Sequence, residues 1–233
     1  MTVEVCAPLH WWAEELLFDM DGTLVDSVLA AEAAWGTWAR ELGFELPDFG
    51  PFHGRTAVAI ISEFVTPDRV PSSLERMNAL EVETAGLARP TAGALELVSS
   101  LPDGSWAVVT SATRVVAEAR LTGIGIRVSE RFVTGDAVTA GKPDPEPYLM
   151  GRLTDGPERA VAFEDTAVGL RSARAAGCRT VGIVGTETAE SLAPFADAVV
   201  ESLADVRVAE VGERGVRLEI DSVAGPSVAS TGR

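Results

Sequence analysis

Six short apolar runs punctuate this chain, ELLFDMDG, SWAVVTSA, RFVTGD, RAVAFEDT, RTVGIVGT and DAVVES, and each gives way to polar or glycine residues. Runs this short and this apolar have no wet face, so they read as strands covered on both sides. Helical patterns separate them, including Val115 to Leu121 and Ala167 to Ala176. Such alternation builds βαβ units. The fold class is therefore α/β, with a Rossmann-like, doubly wound parallel sheet at its core.

Residues 28–88 break that rhythm. The segment LAAEAAWGTWAREL carries apolar groups on a helical period and stops at Gly43. Further helices are expected over Thr56 to Phe64 and Leu74 to Leu87, with Pro47, Pro51, Pro67 and Pro71 punctuating the connections. Structureless loops longer than about 15 residues are rare inside compact folds. A small all-helical domain, inserted after the first strand and set over the end of the sheet as a cap, is the reading that remains. The expected division is an α/β core over 1–26 and 89–221, a helical cap over 27–88, and a disordered tail over 222–233, where SVAGPSVASTGR is small, polar and aperiodic.

Thirty-five acidic residues against 19 basic ones give a net charge of -16, which repels a nucleic-acid backbone, so no such partner is expected. Acidity of this kind usually serves solubility. It also means that any phosphate site must be locally positive. Cys6 and Cys178 are the only cysteines and lie in no CxxC pair, which argues against a disulfide framework or a zinc site. The absence of a signal-like N-terminus and of an 18-residue apolar run leads to the expectation of a cytoplasmic protein without a membrane partner, as a monomer or weak homodimer.

Chemistry concentrates where the runs end. After Leu16, Leu17 and Phe18 come Asp19 and Asp21, two positions apart, so in extended backbone both carboxylates project to one side at the carboxyl edge of the sheet. That edge is where open α/β sheets bind ligands. Two aspartates before Gly22 could also be simple turn residues. Phosphate monoesters resist hydrolysis because the dianion repels water and the alkoxide leaves poorly. A carboxylate nucleophile and a nearby protonated carboxyl answer both difficulties, roles that suit Asp19 and Asp21.

Ser111 and Ala112 follow the second run, close to a helix start, where a hydroxyl and backbone N–H groups either cradle phosphate oxygens or cap the helix. Lys142 is the only lysine of the chain, in a loop that Pro143, Pro145 and Pro147 stiffen. There its ammonium could neutralise a transferring phosphoryl group and pair with Asp19. Glu164 and Asp165 end a further run; with Asp19 they offer the oxygen ligands that magnesium prefers, Glu164 from a supporting position. As plain structure, they would be acids at a helix start.

These four segments, LFDMDGTLVDS, VVTSAT, AGKPDPEPY and FEDTAVGL, resemble in order the motifs of the haloacid dehalogenase superfamily of phosphatases, in the subgroup whose helical cap follows the first motif. The resemblance covers residues 14–200. It implies Asp19 as nucleophile, Asp21 as acid/base, Ser111 as the phosphate-binding hydroxyl, Lys142 as the lysine and Asp165 as the magnesium-binding acid, with the backbone carbonyl of Asp21 as a further ligand. The dehalogenases proper lack the second aspartate, which sets Asp21 against their reaction. GKPDPEPYLMGR, FEDTAVGLRSARAAGCRTVGI and PFHGRT look most like the glycerol-phosphate and deoxyhexose-phosphate phosphatases, which implies a small sugar or polyol phosphate as substrate.

A β-phosphoglucomutase-like activity is the nearest competitor. Mutases of the subgroup carry a histidine where this chain has Ala31, which favours hydrolysis. His53 either reads a substrate hydroxyl or caps a helix, and Arg55 beside it could hold a phosphate. Trp35 is either cap packing or a sugar platform. A non-catalytic binding protein would be expected to have lost at least one of these residues, and no GxxxxGK[ST] loop supports a nucleotide-binding module.

Overall fold

The computed structural model describes residues 8–45, 55–154 and 159–223. Strand β1 (Leu9–Ala13) leads into β2 (Glu15–Phe18) and the short β3 (Val25–Asp26). Three helices follow, α1 (Val28–Leu42), α2 (Ala57–Ile61) and α3 (Val70–Thr84), before the chain returns through β4 (Arg89–Pro90) and α4 (Ala94–Ser99). It then alternates through β5 (Trp106–Val109), α5 (Arg114–Gly123), β6 (Phe132–Val133), α6 (Glu146–Gly151), β7 (Ala160–Glu164) and α7 (Ala167–Ala175). After β8 (Arg179–Ile183), α8 (Ala189–Leu192) and β9 (Ala198–Val200) comes a hairpin of β10 (Val206–Gly212) and β11 (Gly215–Ile220).

Six strands form one parallel sheet in the order β6-β5-β2-β7-β8-β9. The chain builds outward from β2 on one side and then resumes on the other, so β2 lies at the switch point of the winding. Alternate residues enter opposite cores, as the period of a strand requires. Leu16, Phe18, Val108, Val161 and Phe163 pack on one face, and Leu17, Ala107, Val109, Ala160 and Ala162 on the other. The Phe18 ring stacks on Phe163 at 4.7 Å and meets Trp106 edge-on at 6.3 Å.

The helical segment has a core of its own. Ala31, Ala34, Trp35 and Trp38 of α1 face Ile60 and Ile61 of α2 and Met77 and Leu80 of α3. Trp38 meets the rings of Trp35, Phe44 and Phe64 edge-on at 5.7, 5.6 and 6.2 Å. Helix α1 stops where Gly43 turns left-handed and the N–H groups of Gly43 and Phe44 return to the last carbonyls. Strands β3 and β4 pair antiparallel at the neck, Val25 with Pro90 and Asp26 with Arg89.

The structure corrects several expectations. Helix α3 begins at Val70 rather than Leu74, because Pro71 occupies the first turn, where a missing N–H costs nothing, instead of breaking the chain. Residues Ala85–Leu87 are a 3-10 turn. Helix α2 is shorter than expected, with Thr56 as its cap accepting the N–H of Ala59. Pro147 lies within α6, not in a loop. His10, Trp11 and Trp12 belong to β1, a strand outside the six apolar runs, which forms a second, antiparallel sheet in the order β1-β11-β10. The helical segment therefore follows the first strand of the parallel sheet, β2, but is separated from it by the short β3. Pro47, Pro51 and His53, and nearly all of the tail, lie outside the described residues.

At the base of β2, Glu15 is 2% exposed. Its carboxylate accepts the N–H groups of Leu153 and Thr154, the Thr154 hydroxyl at 2.7 Å and the guanidinium of Arg131. Burial alone would raise its pKa, but the bonds from Thr154, Arg131 and Leu153 outweigh it and hold the carboxyl below its ordinary value. A depressed carboxylate adds stability above the unfolded pKa and loses it as pH falls through the folded one. Glu15→Gln should cost about 3 kcal/mol at neutral pH in urea unfolding, with the gap to the parent closing below about pH 4. A gap that stays constant down to acid pH would contradict this account.

Candidate active site

Three neighbouring strands of the sheet deliver the polar groups to one edge. Asp19 and Asp21 follow β2, Thr110 and Ser111 follow β5, and Glu164 and Asp165 come at the end of β7. Together with residues of α1, α2 and α3 they line a cleft between the sheet and the helical segment. Gly22 makes the close packing possible: its φ is +83°, and a Cβ there would stand 1.9 Å from Asp165 Oδ2. At Gly169 a Cβ would strike the Glu164 carboxylate at 2.0 Å, so this acid too depends on a neighbouring glycine.

The buried lysine sits at the centre of the acids. Lys142 Nζ donates to Asp19 Oδ1 at 2.5 Å, Glu164 Oε1 at 2.6 Å and the Val109 carbonyl at 3.0 Å, which uses all three of its protons. Burial pulls its pKa down, but the Asp19 and Glu164 carboxylates more than reverse that, so the ammonium stays charged. Tyr148, the only tyrosine, donates its hydroxyl to Glu164 Oε1 at 2.7 Å from full burial. Thr166 donates to Oε2 at 3.2 Å. Glu164 is thus chiefly the anchor of the lysine.

Carboxylate oxygens of Asp19, Glu164 and Asp165 lie within 4.8 Å of one another, all three residues buried. Burial and the mutual repulsion of these acids push Asp19 well above the ordinary carboxylate range, with Lys142 opposing. Burial and the charge of Glu164 push Asp165 up to about 7, against a hydrogen bond from Thr186. Three carboxylates against one ammonium leave negative charge uncompensated in a dry place. An all-oxygen set with that surplus fits a hard divalent cation such as magnesium.

Ser111 lies on the cleft wall with Thr110 and Ala112. It does not cap α5: Thr113 occupies that position, and its hydroxyl donates to Asn78 of α3 at 2.8 Å. Arg55 lines the cleft from the helical segment and is paired with Glu63. Trp35 is 3% exposed and packs in the helical core, yet its indole also hydrogen-bonds Glu81 at the cleft. Ala31 borders the same space.

Sequence reasoning missed four partners in this region: Tyr148, Thr186, Glu81 and Arg120. The last is 3% exposed, and its guanidinium reaches Asp21 Oδ1 at 2.8 Å and Glu81 Oε1 at 3.1 Å. A clue existed in α5, where an arginine at position 120 sits on the same helical face as the apolar Val116 and Ala117.

The chain is 38% identical over 177 residues to hexitol phosphatase A of Escherichia coli, covering 72% of this chain and 81% of that protein. It is 34% identical over 201 residues to glycerol-1-phosphate phosphohydrolase 2 of Saccharomyces cerevisiae, covering 77% and 78%. Among solved structures, CbbY of Rhodobacter sphaeroides in complex with phosphate superposes with a TM-score of 0.70 at 26% identity, covering 83% of this chain and 96% of that one. The profile of the haloacid dehalogenase-like hydrolases matches residues 16–183, a span that begins in β2 and ends with β8, and the chain belongs to that family.

Proposed function

We propose that this chain is a magnesium-dependent phosphatase that hydrolyses a small sugar or polyol phosphate monoester through an aspartyl phosphate on Asp19. The observation that carries this reading is the buried ammonium of Lys142 between Asp19 and Glu164, beside Asp165 at the switch point of the sheet. Two relatives named for hexitol and glycerol phosphates support the substrate class.

In the first half of the cycle an Asp19 oxygen attacks phosphorus in line, the bond to the alcohol oxygen breaks, and Asp21 gives that oxygen its proton. In the second half Asp21, now a carboxylate, takes a proton from water as the water attacks phosphorus. The bond to Asp19 breaks, inorganic phosphate leaves, and both aspartates are restored. Ser111 and the Ala112 backbone hold the phosphate oxygens, and Lys142 stabilises the charge that develops on them. Magnesium, held by Asp19, Asp165 and the Asp21 carbonyl with Glu164 in a supporting position, would supply charge neutralisation between carboxylate and phosphate.

On this reading residues 27–88 act as a cap over a core of 1–26 and 89–221, closing over the substrate to exclude bulk water. Arg55 would contact the substrate from the cap. Ala31 offers no proton-transfer group to the cleft, which disfavours the mutase alternative. No helix among the described residues is long and apolar enough to cross a membrane, and we place the enzyme in the cytoplasm.

A panel of hexitol, glycerol and deoxyhexose phosphates tests the reaction. Phosphate release should fall by at least about 10³-fold in Asp19→Asn while the circular dichroism spectrum is unchanged; retained turnover would remove Asp19 as nucleophile. Metal dependence has an independent readout. Adding magnesium to chelator-treated protein should raise its melting temperature in proportion to the logarithm of ion concentration, and Asp165→Asn should flatten that response. No shift in the parent protein would refute the proposed metal site.

A further inference from the structure

Between the helical segment and the sheet runs a chain of three charged groups that the reaction above does not explain. Arg120 projects from α5, a helix of the α/β core, and its two terminal nitrogens divide between Asp21 at 2.8 Å and Glu81 of α3 at 3.1 Å. Glu81 in turn accepts the indole of Trp35 on α1. Side-chain exposures are 4% for Arg120, 10% for Glu81 and 31% for Asp21, so the link is dry at its centre and opens to the cleft only at Asp21. A second contact, Thr113 to Asn78 at 2.8 Å, joins the same two helices one turn or more away and keeps α3 in register on α5.

Stability does not account for this arrangement. A buried ion triad is often no more stable than apolar side chains of the same volume, and here the Arg120 Nε is buried with no hydrogen-bond partner among the described residues. Geometry does account for it. The acid/base must offer one carboxyl oxygen to the leaving group in a fixed direction, and misplacement by about 1 Å can cost about 10²-fold in rate. Asp21 follows β2 on a turn, and nothing covalent fixes its rotamer. Arg120 takes Oδ1 and thereby leaves Oδ2 as the oxygen available for proton transfer. Because the same guanidinium is shared with α3, that alignment depends on the seating of the helical segment.

We propose that Arg120 is a positioning residue that aligns Asp21 for proton transfer to the leaving alcohol and, through Glu81, makes that alignment conditional on the helical segment being docked on α5. The proposal rests on the phosphatase reading, and it adds an arginine whose influence falls on the alcohol's departure rather than on the capture of phosphate. A rigid fork suits this task where a lysine would hold only one partner at a time.

Leaving-group dependence tests it. Glycerol phosphate requires a proton for its alkoxide, whereas p-nitrophenyl phosphate releases a stable phenolate and requires none. Arg120→Met should lower kcat/KM for glycerol phosphate by about 10²-fold and kcat/KM for p-nitrophenyl phosphate by less than about 5-fold, because kcat/KM reports the steps up to departure of the leaving group and not the later hydrolysis of the aspartyl phosphate, which uses Asp21 with either substrate. Arg120→Lys should recover part of the selective loss. Equal losses of kcat/KM on both substrates in a folded variant would make Arg120 merely structural, and unchanged kinetics would make it idle; either overturns the proposal. Should Arg120→Met fail to fold, the same ratio is read in Glu81→Gln, where a selective loss of several-fold is expected and an equal one overturns the coupling. If the parent protein released phosphate from neither substrate, the phosphatase reading itself would fall, a result distinct from a parent that is active with both and variants that lose both alike.

Discussion

The site depends on a single buried ammonium. Lys142 is removed from water, which disfavours its charge, and it is held charged only because two carboxylates and a carbonyl surround it. The dependence is mutual, because burial favours a protonated Asp19 and Lys142 is what opposes that protonation. Glu164 then needs its own support, since it would repel Asp19 if it were free to swing. Tyr148 and Thr166 fix it against the lysine. Asp19, its counter-ion Lys142 and the counter-ion's anchor Glu164 therefore form one unit.

The sheet explains why these groups meet. Strands β5 and β7 flank β2, so the residues that follow each strand converge at the point where the winding reverses. Directly beneath the acids the strands carry apolar side chains, including the stacked pair of Phe18 and Phe163. Rigid packing under the acids keeps their backbones still, while the polar groups stand at the ends of the strands or just beyond them.

The parts of this design that sequence made legible are those tied to a period or to a local turn. Contiguous apolar runs located the parallel strands, and Asp19, Asp21, Glu164 and Asp165 were visible because each stands directly after such a run. The lone lysine was visible through rarity. Tyr148 and Arg120 were not, since each acts from the interior of a helix and its partner is 16 and 99 residues away respectively. The β1-β11-β10 sheet escaped for a different reason. Its strands are half wet, and in β11 only Val216, Leu218 and Ile220 turn inward. Alternation of that kind is weaker than a solid apolar run and was overlooked beside six of them.

The charge balance of the cleft carries a further consequence. A chain with a net charge of -16 meets an anionic substrate, yet the cations at this cleft are already committed: Lys142 to Asp19 and Glu164, Arg120 to Asp21 and Glu81, Arg55 to Glu63. Binding must proceed by exchange of partners rather than by arrival at bare positive charge. The three pairs are not equal in this respect. Lys142 and Arg120 are 2% and 4% exposed, and breaking either would strand a buried charge. The Arg55 pair is exposed at 33% and 53%, where ion pairs contribute at most about 1 kcal/mol. On the proposed function, Arg55 is the cation that can turn from Glu63 to an incoming phosphate at little cost. The two buried cations instead keep their carboxylate partners in place.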